Sequence, residues 1–353
     1  MPAAGSMIDG HWPGVSVVMP VRNEQLYLPT AVRKVLSQNY PGELEAILAV
    51  GPSADRTREI AEELAAGDLR VRVVDNPAGT TPAGLNLAIS AARHDIIVRV
   101  DGHGELTDGY IERAVELLAE TGAANVGGVM DARGSTPFEQ AVAVAYGTRL
   151  GLGGGAFHLV TSPAGEADTV FLGVFRKEAL QAVGGFDESL HRAQDWELNY
   201  RLRTRGHKIW FSPDLRVTYR PRSNLRALVR QMYQTGKWRR EVIRRHPDTA
   251  SLRYLAPPAA VISVAGGIIV GVLGGAVGYP LLRAGFLAPA GYLAIVVGGS
   301  LTAGPMSAGA RLRLPIVLVA THMAWGIGFL VGPHAMRSDR SRGHLRGLVD
   351  SAA

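Results

Sequence analysis

Short apolar runs alternate with amphipathic stretches from Val15 to the neighbourhood of residue 220. Val15–Met19, closed by Pro20, has the form of a buried parallel strand. The pattern then predicts a helix over Leu26–Ser37, a strand over Leu44–Val50, and a helix over Asp55–Ala66. Strands over Val71–Val74 and Ile96–Val100 follow, with a helix over Pro82–Ala92 between them. Further on come a strand at Thr169–Phe175, a helix starting near Arg176–Ala182, a turn at Gly184–Asp187 and a helix over Gln194–Arg205. Strands and helices in this order predict an α/β fold, a mostly parallel sheet with helices on both faces. Such sheets bind ligands beyond the carboxyl ends of their strands. The turns Pro20–Glu24, Gly51–Asp55, Asp75–Gly79 and Asp101–Gly104 would therefore share one rim.

The pattern changes after residue 222. Leu225–His246 predicts a basic helix with Leu225, Leu228, Val229 and Met232 on one side, suited to a membrane surface. The stretches 254–282, 284–310 and 314–336 then contain no Asp, Glu, Lys or Arg, and each is long enough to cross a bilayer. The expected organisation is a lead-in over 1–13, an α/β domain over 14–222 and the basic interfacial helix within 223–252. About three transmembrane helices over 253–336 and a basic tail over 337–353 complete it. With the first domain inside the cell, three spans put Arg337, Arg340, Arg342 and Arg346 outside, against the positive-inside tendency. Either Ala276–Pro289 is re-entrant or the tail is an exception. Gly151–Gly155 is either a closing loop, together with the segment through Glu166 and Asp168, or a plain connector.

Composition narrows the classes. Charged residues are 19% and hydrophobic ones 47% of the 353 residues, with 43 Gly, a blend suited to a soluble domain joined to a lipid-facing one. The absence of cysteine rules out disulfides, thiolate metal sites and cysteine nucleophiles. The net charge of +6 is concentrated between Arg220 and Arg253, where it suits anionic lipid or phosphate. No aromatic and basic residues interleave as a nucleic-acid platform would require, so nucleic acid is not an expected partner. Met1–Pro13 lacks the cationic start and apolar core of a signal peptide, so the α/β domain is expected on the cytoplasmic side.

Three clusters carry candidate chemistry. Asp101-Gly102-His103 follows an apolar strand, and a carboxylate with an imidazole two residues on can hold Mn²⁺ or Mg²⁺ against a diphosphate. The same triplet also makes a plain turn. Asp195, near a helix start, is either a general base for an attacking hydroxyl or a helix cap, while Glu197 is expected to pair with a cation. Gln234-Thr235-Gly236-Lys237-Trp238 is either a sugar and pyrophosphate contact or an amphipathic helix with an interfacial tryptophan.

Taken in order, VSVVMPVRNE, VGPSADRT, RVDGH, VGGFDE with QDWELNYRL, and QTGKW resemble the family 2 inverting glycosyltransferases over residues 14–240. The succinoglycan-type membrane enzymes, which share the Asp-x-His motif and an apolar C-terminal tail, are the nearest in kind. The resemblance implies the Rossmann-like GT-A fold and transfer from a nucleotide sugar, UDP-hexose foremost, to a polyprenyl-linked or other glycolipid or glycan acceptor. Envelope or exopolysaccharide synthesis at the plasma membrane would be the setting. By position it assigns Pro20, Arg22, Glu24, Asp55 and Asp101 to the nucleotide sugar, Asp101 and His103 to a metal, and Asp195 to the base. Gln234, Lys237 and Trp238 match the family's Gln-x-x-Arg-Trp box. Three departures stand out: Val50-Gly51-Pro52 replaces the usual acidic pair, His103 replaces a carboxylate, and Lys237 replaces an arginine.

Other classes fit less well. A processive polysaccharide synthase usually has spans on both sides of its catalytic domain. A dehydrogenase would need Gly-x-Gly-x-x-Gly after the first strand, and Pro20–Glu24 offers none. A non-catalytic sugar-nucleotide-binding scaffold would not need both Asp101 and Asp195.

Overall fold

The computed structural model describes residues 11–152 and 155–350, with side chains described through residue 332. Most of the expected lead-in, Gly153 and Gly154 of the glycine loop, and the side chains of the basic tail lie outside the described residues. In chain order the elements are β1 (Val15–Val21), α1 (Leu28–Leu36), β2 (Leu44–Val50), α2 (Thr57–Gly67), β3 (Val71–Asp75), α3 (Thr81–Ala91) and β4 (Ile96–Arg99). Then come β5 (Glu105–Leu106), α4 (Tyr110–Thr121), β6 (Asn125–Ala132), α5 (Pro137–Tyr146), β7 (Gly165–Glu166), β8 (Phe171–Arg176) and α6 (Lys177–Ala182). The last are α7 (Gln194–Thr204), β9 (Ile209–Tyr219), α8 (Leu225–Arg245), α9 (Leu252–Ala276), α10 (Leu287–Thr302) and α11 (Ala308–Asp350).

The chain forms two compact units. One holds residues up to Arg133 and Gly154–Arg220, the other Gly134–Gly153 and everything from Pro221. The segment 134–153 falls inside the stretch expected as one continuous domain, yet it packs with the C-terminal elements.

The first unit is a sheet in the order β3-β2-β1-β4-β8-β6-β9-β5, with β7 paired to β9. The β3-β2-β1-β4 half is parallel, and β8 enters antiparallel between β4 and β6. Alternate positions on each strand serve two cores. Val15, Val17, Met19 and Val21 of β1 join Ala46, Leu48 and Val50 of β2 beneath α1 and α4. Val18, Ile47 and Ala49 face the opposite core, beneath α3 and α6. Both faces being apolar, the strands are continuous hydrophobic runs, as buried parallel strands are.

β1 runs through Pro20 to Val21, two residues past its expected end. Proline is tolerated there because β1 pairs with β4 only as far as Val18–Arg99, while the β2 pairing continues to Val21–Val50. One polar pair crosses the parallel half: Glu45 accepts from Ser16 Oγ at 2.7 Å and pairs with Arg72 and Arg93.

In the second unit α5 and α8 pack along α11. Helix α9 turns at Val277–Tyr279 into a 3₁₀ segment, Pro280–Phe286, which lies back along α9 and continues into α10. Ala276–Pro289, one of the two readings offered above for the charge conflict, covers that turn and the first part of the Pro280–Thr302 segment. Leu252–Ala276, Pro280–Thr302 and Ala308–Gly332 are long and apolar enough to cross a membrane. A break at Gly332 (φ 21°, ψ −115°) ends the straight part of α11.

Candidate active site

The carboxyl ends of β1, β2 and β4 raise the loops that carry the site. Arg22 reaches across from β1, donating Nε to the Pro52 carbonyl at 3.0 Å and Nη1 to the Gly79 carbonyl at 3.2 Å. Asp55 binds the β1 and β2 loops together. One of its oxygens accepts from the Thr57 hydroxyl and amide, the other from the Gln25 amide. The hydroxyl bond is the largest of the effects on its pKa, which lies below the ordinary value. Pro20 sits partly exposed beside these loops, at the end of β1.

The charged centre lies at the end of β4. Arg99 is 4% exposed and has one carboxylate at each side of its guanidinium. Nη2 donates to Asp101 Oδ1 at 2.9 Å, and Nη1 donates to Asp195 Oδ1. Its Nε is buried and has no hydrogen-bond partner. Burial works against the charge on Arg99, yet the two carboxylates raise its pKa above that of a free guanidinium. Burial pushes Asp101 up, but the charges of Arg99 and His103, with the Arg99 hydrogen bond, hold it below the usual carboxylate range.

Arg99 was not among the residues expected in the site. The sequence signal was a single charge inside an apolar strand, two positions before Asp101. Inside a buried strand a cation needs a partner, and two carboxylates supply it.

The site brings Glu24 to His103 at 2.8 Å between Oε1 and Nδ1. Gly102 makes that approach possible, because a Cβ there would lie 2.9 Å from Glu24 Cγ and 3.1 Å from Val21 Cγ1. A carboxylate on Nδ1 orients the ring, the usual arrangement behind a metal-binding histidine. Arg99 uses one oxygen of Asp101 and leaves the other. Asp101 and His103 thus fit two positions of a cation's shell. Among the described residues no group of three or more His, Cys, Asp or Glu is poised for a metal. A cation here would take its remaining ligands from a bound diphosphate and water.

Asp195 lies in the first turn of α7, where a carboxylate is favoured by the helix dipole. It does not cap the helix. Ala193 occupies the cap position in left-handed conformation (φ 60°), a strained state for a residue with a Cβ. Glu197 turns away and pairs with Arg201 at 2.7 Å, and Arg201 also holds the carbonyls of Val183 and Gly185 in the Gly184–Asp187 turn.

Gln234, Lys237 and Trp238 belong to the second unit, on α8, where their spacing gives one helix face. Lys237 and Trp238 are buried, and Lys237 Nζ lies 5.8 Å from the Tyr233 ring.

The sheet order, with an antiparallel strand set into a parallel half and an acidic site beyond β4, defines a GT-A-type nucleotide-sugar transferase fold. Residues 16–183 match the model of glycosyl transferase family 2. The chain is 33% identical over 325 residues to the succinoglycan biosynthesis protein ExoA of Rhizobium meliloti (strain 1021), covering 89% of this chain and 93% of that one. It is 22% identical over 268 residues to a dolichyl N-acetyl-α-D-glucosaminyl phosphate 3-β-D-2,3-diacetamido-2,3-dideoxy-β-D-glucuronosyltransferase of Methanococcus voltae, covering 73% and 82%. In fold it is similar to the mannosyltransferase PcManGT of Pyrobaculum calidifontis, solved with GDP-mannose and Mn²⁺. The TM-score is 0.54 and the identity 18%, over 90% of this chain and 86% of that one. The chain belongs to glycosyl transferase family 2 and is a glycosyltransferase of glycan or exopolysaccharide synthesis.

Proposed function

We propose that this chain transfers a hexose from a nucleoside diphosphate sugar, UDP-hexose foremost, to a lipid-linked glycan acceptor, with inversion at the anomeric carbon. It would act at the plasma membrane, with its α/β unit on the cytoplasmic side. The observation that carries the chemistry is the Asp101–Arg99–Asp195 cluster beyond β4, which holds two carboxylates beside each other under one buried cation. Asp195 accepts the proton of the acceptor hydroxyl as that oxygen forms its bond to C1 of the donor. The C1–oxygen bond to the diphosphate breaks on the opposite face, and a single displacement of this kind inverts the centre. No protein nucleophile is required.

Asp101 and His103 would hold Mn²⁺ or Mg²⁺, which when bound offsets the negative charge gathering on the leaving diphosphate. Glu24 orients His103 for that role. Arg22 borders the nucleotide subsite together with Pro20, and Asp55 keeps the loops beneath them in shape. Gln234, Lys237 and Trp238 would contact the acceptor or the pyrophosphate. The lipid-linked acceptor is supported by the ExoA likeness, by the dolichyl-linked acceptor named for the Methanococcus relative, and by the three apolar helices.

The test is sugar transfer by detergent-purified protein offered UDP-, GDP- and dTDP-sugars, a polyprenyl-diphosphate-linked saccharide and Mn²⁺ or Mg²⁺. Transfer from one donor with inverted product, lost in Asp195→Asn and on chelation, is the expected result. Equal transfer by Asp195→Asn removes Asp195 as the base.

A further inference from the structure

α9 and the Pro280–Thr302 segment form an antiparallel hairpin whose depth can be read residue by residue. A Cβ at Gly267 would lie 2.9 Å from Ala288 and 3.1 Å from Pro289, and one at Gly274 would lie 2.5 Å from Leu282. From Gly267 back to Pro257 is about 15 Å of helix, and the same distance along α10 leads from Pro289 to about Gly299. Pro257 and the Gly299–Gly304 stretch therefore mark the open end of the hairpin, and Val277–Tyr279 its closed end.

α11 meets the open end twice. Near its start Arg311 donates to the carbonyls of Ser300, Leu301, Ala303 and Gly304. About 22 Å of helix later, Gly326 lies against the Pro257 carbonyl and Val261, and the Trp325 ring is 6.3 Å from that of Tyr254. Between these points the His322–Tyr292 hydrogen bond, 3.1 Å long, reaches the first half of α10, so α11 dips along that helix before it comes back to the start of α9. A third span laid antiparallel to α10 would bring residue 326 level with about Leu287 and Ile269, not back to the start of α9.

The cover on α11 agrees. Over their apolar lengths α9 is 11% buried in protein and Pro280–Thr302 is 6% buried, whereas Ala308–Gly332 is 50% buried. Its protein-facing side is occupied by α5 and by the cation-rich α8. Pro137 and Gln140 of α5 meet Gly309 and Ser307, while Gly236 of the cation-rich α8 lies on Trp325 and Arg240 on Gly332. Taking those cations through a bilayer core would be costly. The remaining face of α11 is one apolar stripe through Leu312, Ile316, Ile327 and Leu330, all exposed. One face on protein and one apolar face free is the layout of a helix lying in a membrane surface.

We propose that the chain crosses the membrane twice, through α9 and Pro280–Thr302, and that α11 lies along the membrane face at which α9 enters, its apolar stripe in the lipid. Charge supports the same arrangement. Two crossings leave Arg283 alone at the closed end and bring Arg311, Arg313 and the arginines of the tail to the side of α8, as the positive-inside tendency requires. The conflict that three crossings create disappears.

The inference does not depend on the sugar or the base proposed above, and its test needs no activity. The natural chain has no cysteine, so single cysteines report without background. Leu69→Cys on the first unit, Tyr279→Cys at the closed end and Ser341→Cys in the tail are treated with a membrane-impermeant maleimide, in intact and in permeabilised cells. Tyr279→Cys is expected to react in intact cells, and Leu69→Cys and Ser341→Cys only after permeabilisation. Reaction of Ser341→Cys from the side opposite to Leu69→Cys overturns the proposal, as does reaction of Tyr279→Cys from the same side as Leu69→Cys. Nitroxide labels at Leu312, Ile316, Ile327 and Leu330 in bilayers give an independent reading. A uniform shallow depth is expected, and a depth rising to mid-bilayer and falling again along the four positions refutes a surface helix.

Discussion

Replacing Arg99 by methionine removes the one cation that Asp101 and Asp195 share. The side chain is 5% exposed, so no bulk water replaces the lost charge. Deleting one partner of a buried ion pair costs about 3–5 kcal/mol, because the charge left behind is uncompensated. Here two carboxylates are left, both partly open to solvent, which argues for the lower end of that range. Arg99→Lys separates charge from geometry. An ammonium restores the charge but not the fork that reaches both carboxylates at once. Losing one charge-assisted hydrogen bond is worth about 1.5–3 kcal/mol, or roughly 10- to 150-fold in rate if it is lost from the transition state. The assays are thermal unfolding in detergent and kcat/KM for sugar transfer. Arg99→Met should unfold at a clearly lower temperature. Arg99→Lys should unfold near wild type yet transfer at least tenfold more slowly, with most of the loss in kcat. Transfer within about threefold of wild type by Arg99→Lys, together with an unchanged melting temperature for Arg99→Met, would refute the shared-cation account.

Other outcomes follow from single contacts. Glu24→Gln removes the carboxylate from His103 Nδ1, and such outer partners typically matter 10- to 100-fold in metal affinity; the Mn²⁺ concentration giving half-maximal transfer should rise by that order. Burial alone would raise the Glu45 carboxyl, but the Arg93 amide, Ser16, Arg72 and the Arg93 guanidinium lower it to about 2. Its folded pKa is depressed, so its contribution is complete above the ordinary carboxylate value of 4.5 and is lost as pH falls towards 2. At about 1.4 kcal/mol per unit this amounts to roughly 3 kcal/mol, and Glu45→Gln should flatten the acid limb of the unfolding curve over that window. Gly236→Val drives a Cβ to within 2.0 Å of the Trp325 carbonyl, so α8 must lift from α11 and the melting temperature in detergent should drop by several degrees.

The parallel half of the sheet was legible because its strands are apolar on both faces and its helices amphipathic. The second half was not. β6 begins Asn125-Val126-Gly127-Gly128, and its glycines admit the backbone of β9 so closely that a Cβ at Gly128 would lie 1.7 Å from the Leu215 carbonyl. β9 carries Pro213 in its middle, and a proline within a run argues against a strand unless the partner is bulged there. Asp101, His103 and Asp195 were legible as candidates from their places after a strand and near a helix start, and the structure sets both aspartates on Arg99 and His103 on Glu24. Arg99 was not, because pairing across the residues between 99 and 195 is a property of the sheet order and leaves no local pattern. Nor does periodicity set Ala308–Gly332 apart from the other two candidate spans: it has the hydropathy of a span, and what differs is the protein that covers half of it.

The chain's departure at Gly134 and return at Gly154 bears on how the protein is made. α5 is synthesised in the midst of the first unit, but its partners lie far later: Gly309, which meets Pro137, comes 172 positions on (309 − 137). At ordinary elongation rates of about 5–20 residues per second, that helix waits roughly 10–40 s before its docking surface exists. Throughout this interval Ala141, Val142, Ala145 and Tyr146 have no folded surface to close on. A fragment ending at residue 222 would leave them so permanently. The boundary between the units is therefore not a place to cut the gene, and a settled place for α5 depends on completing the second unit.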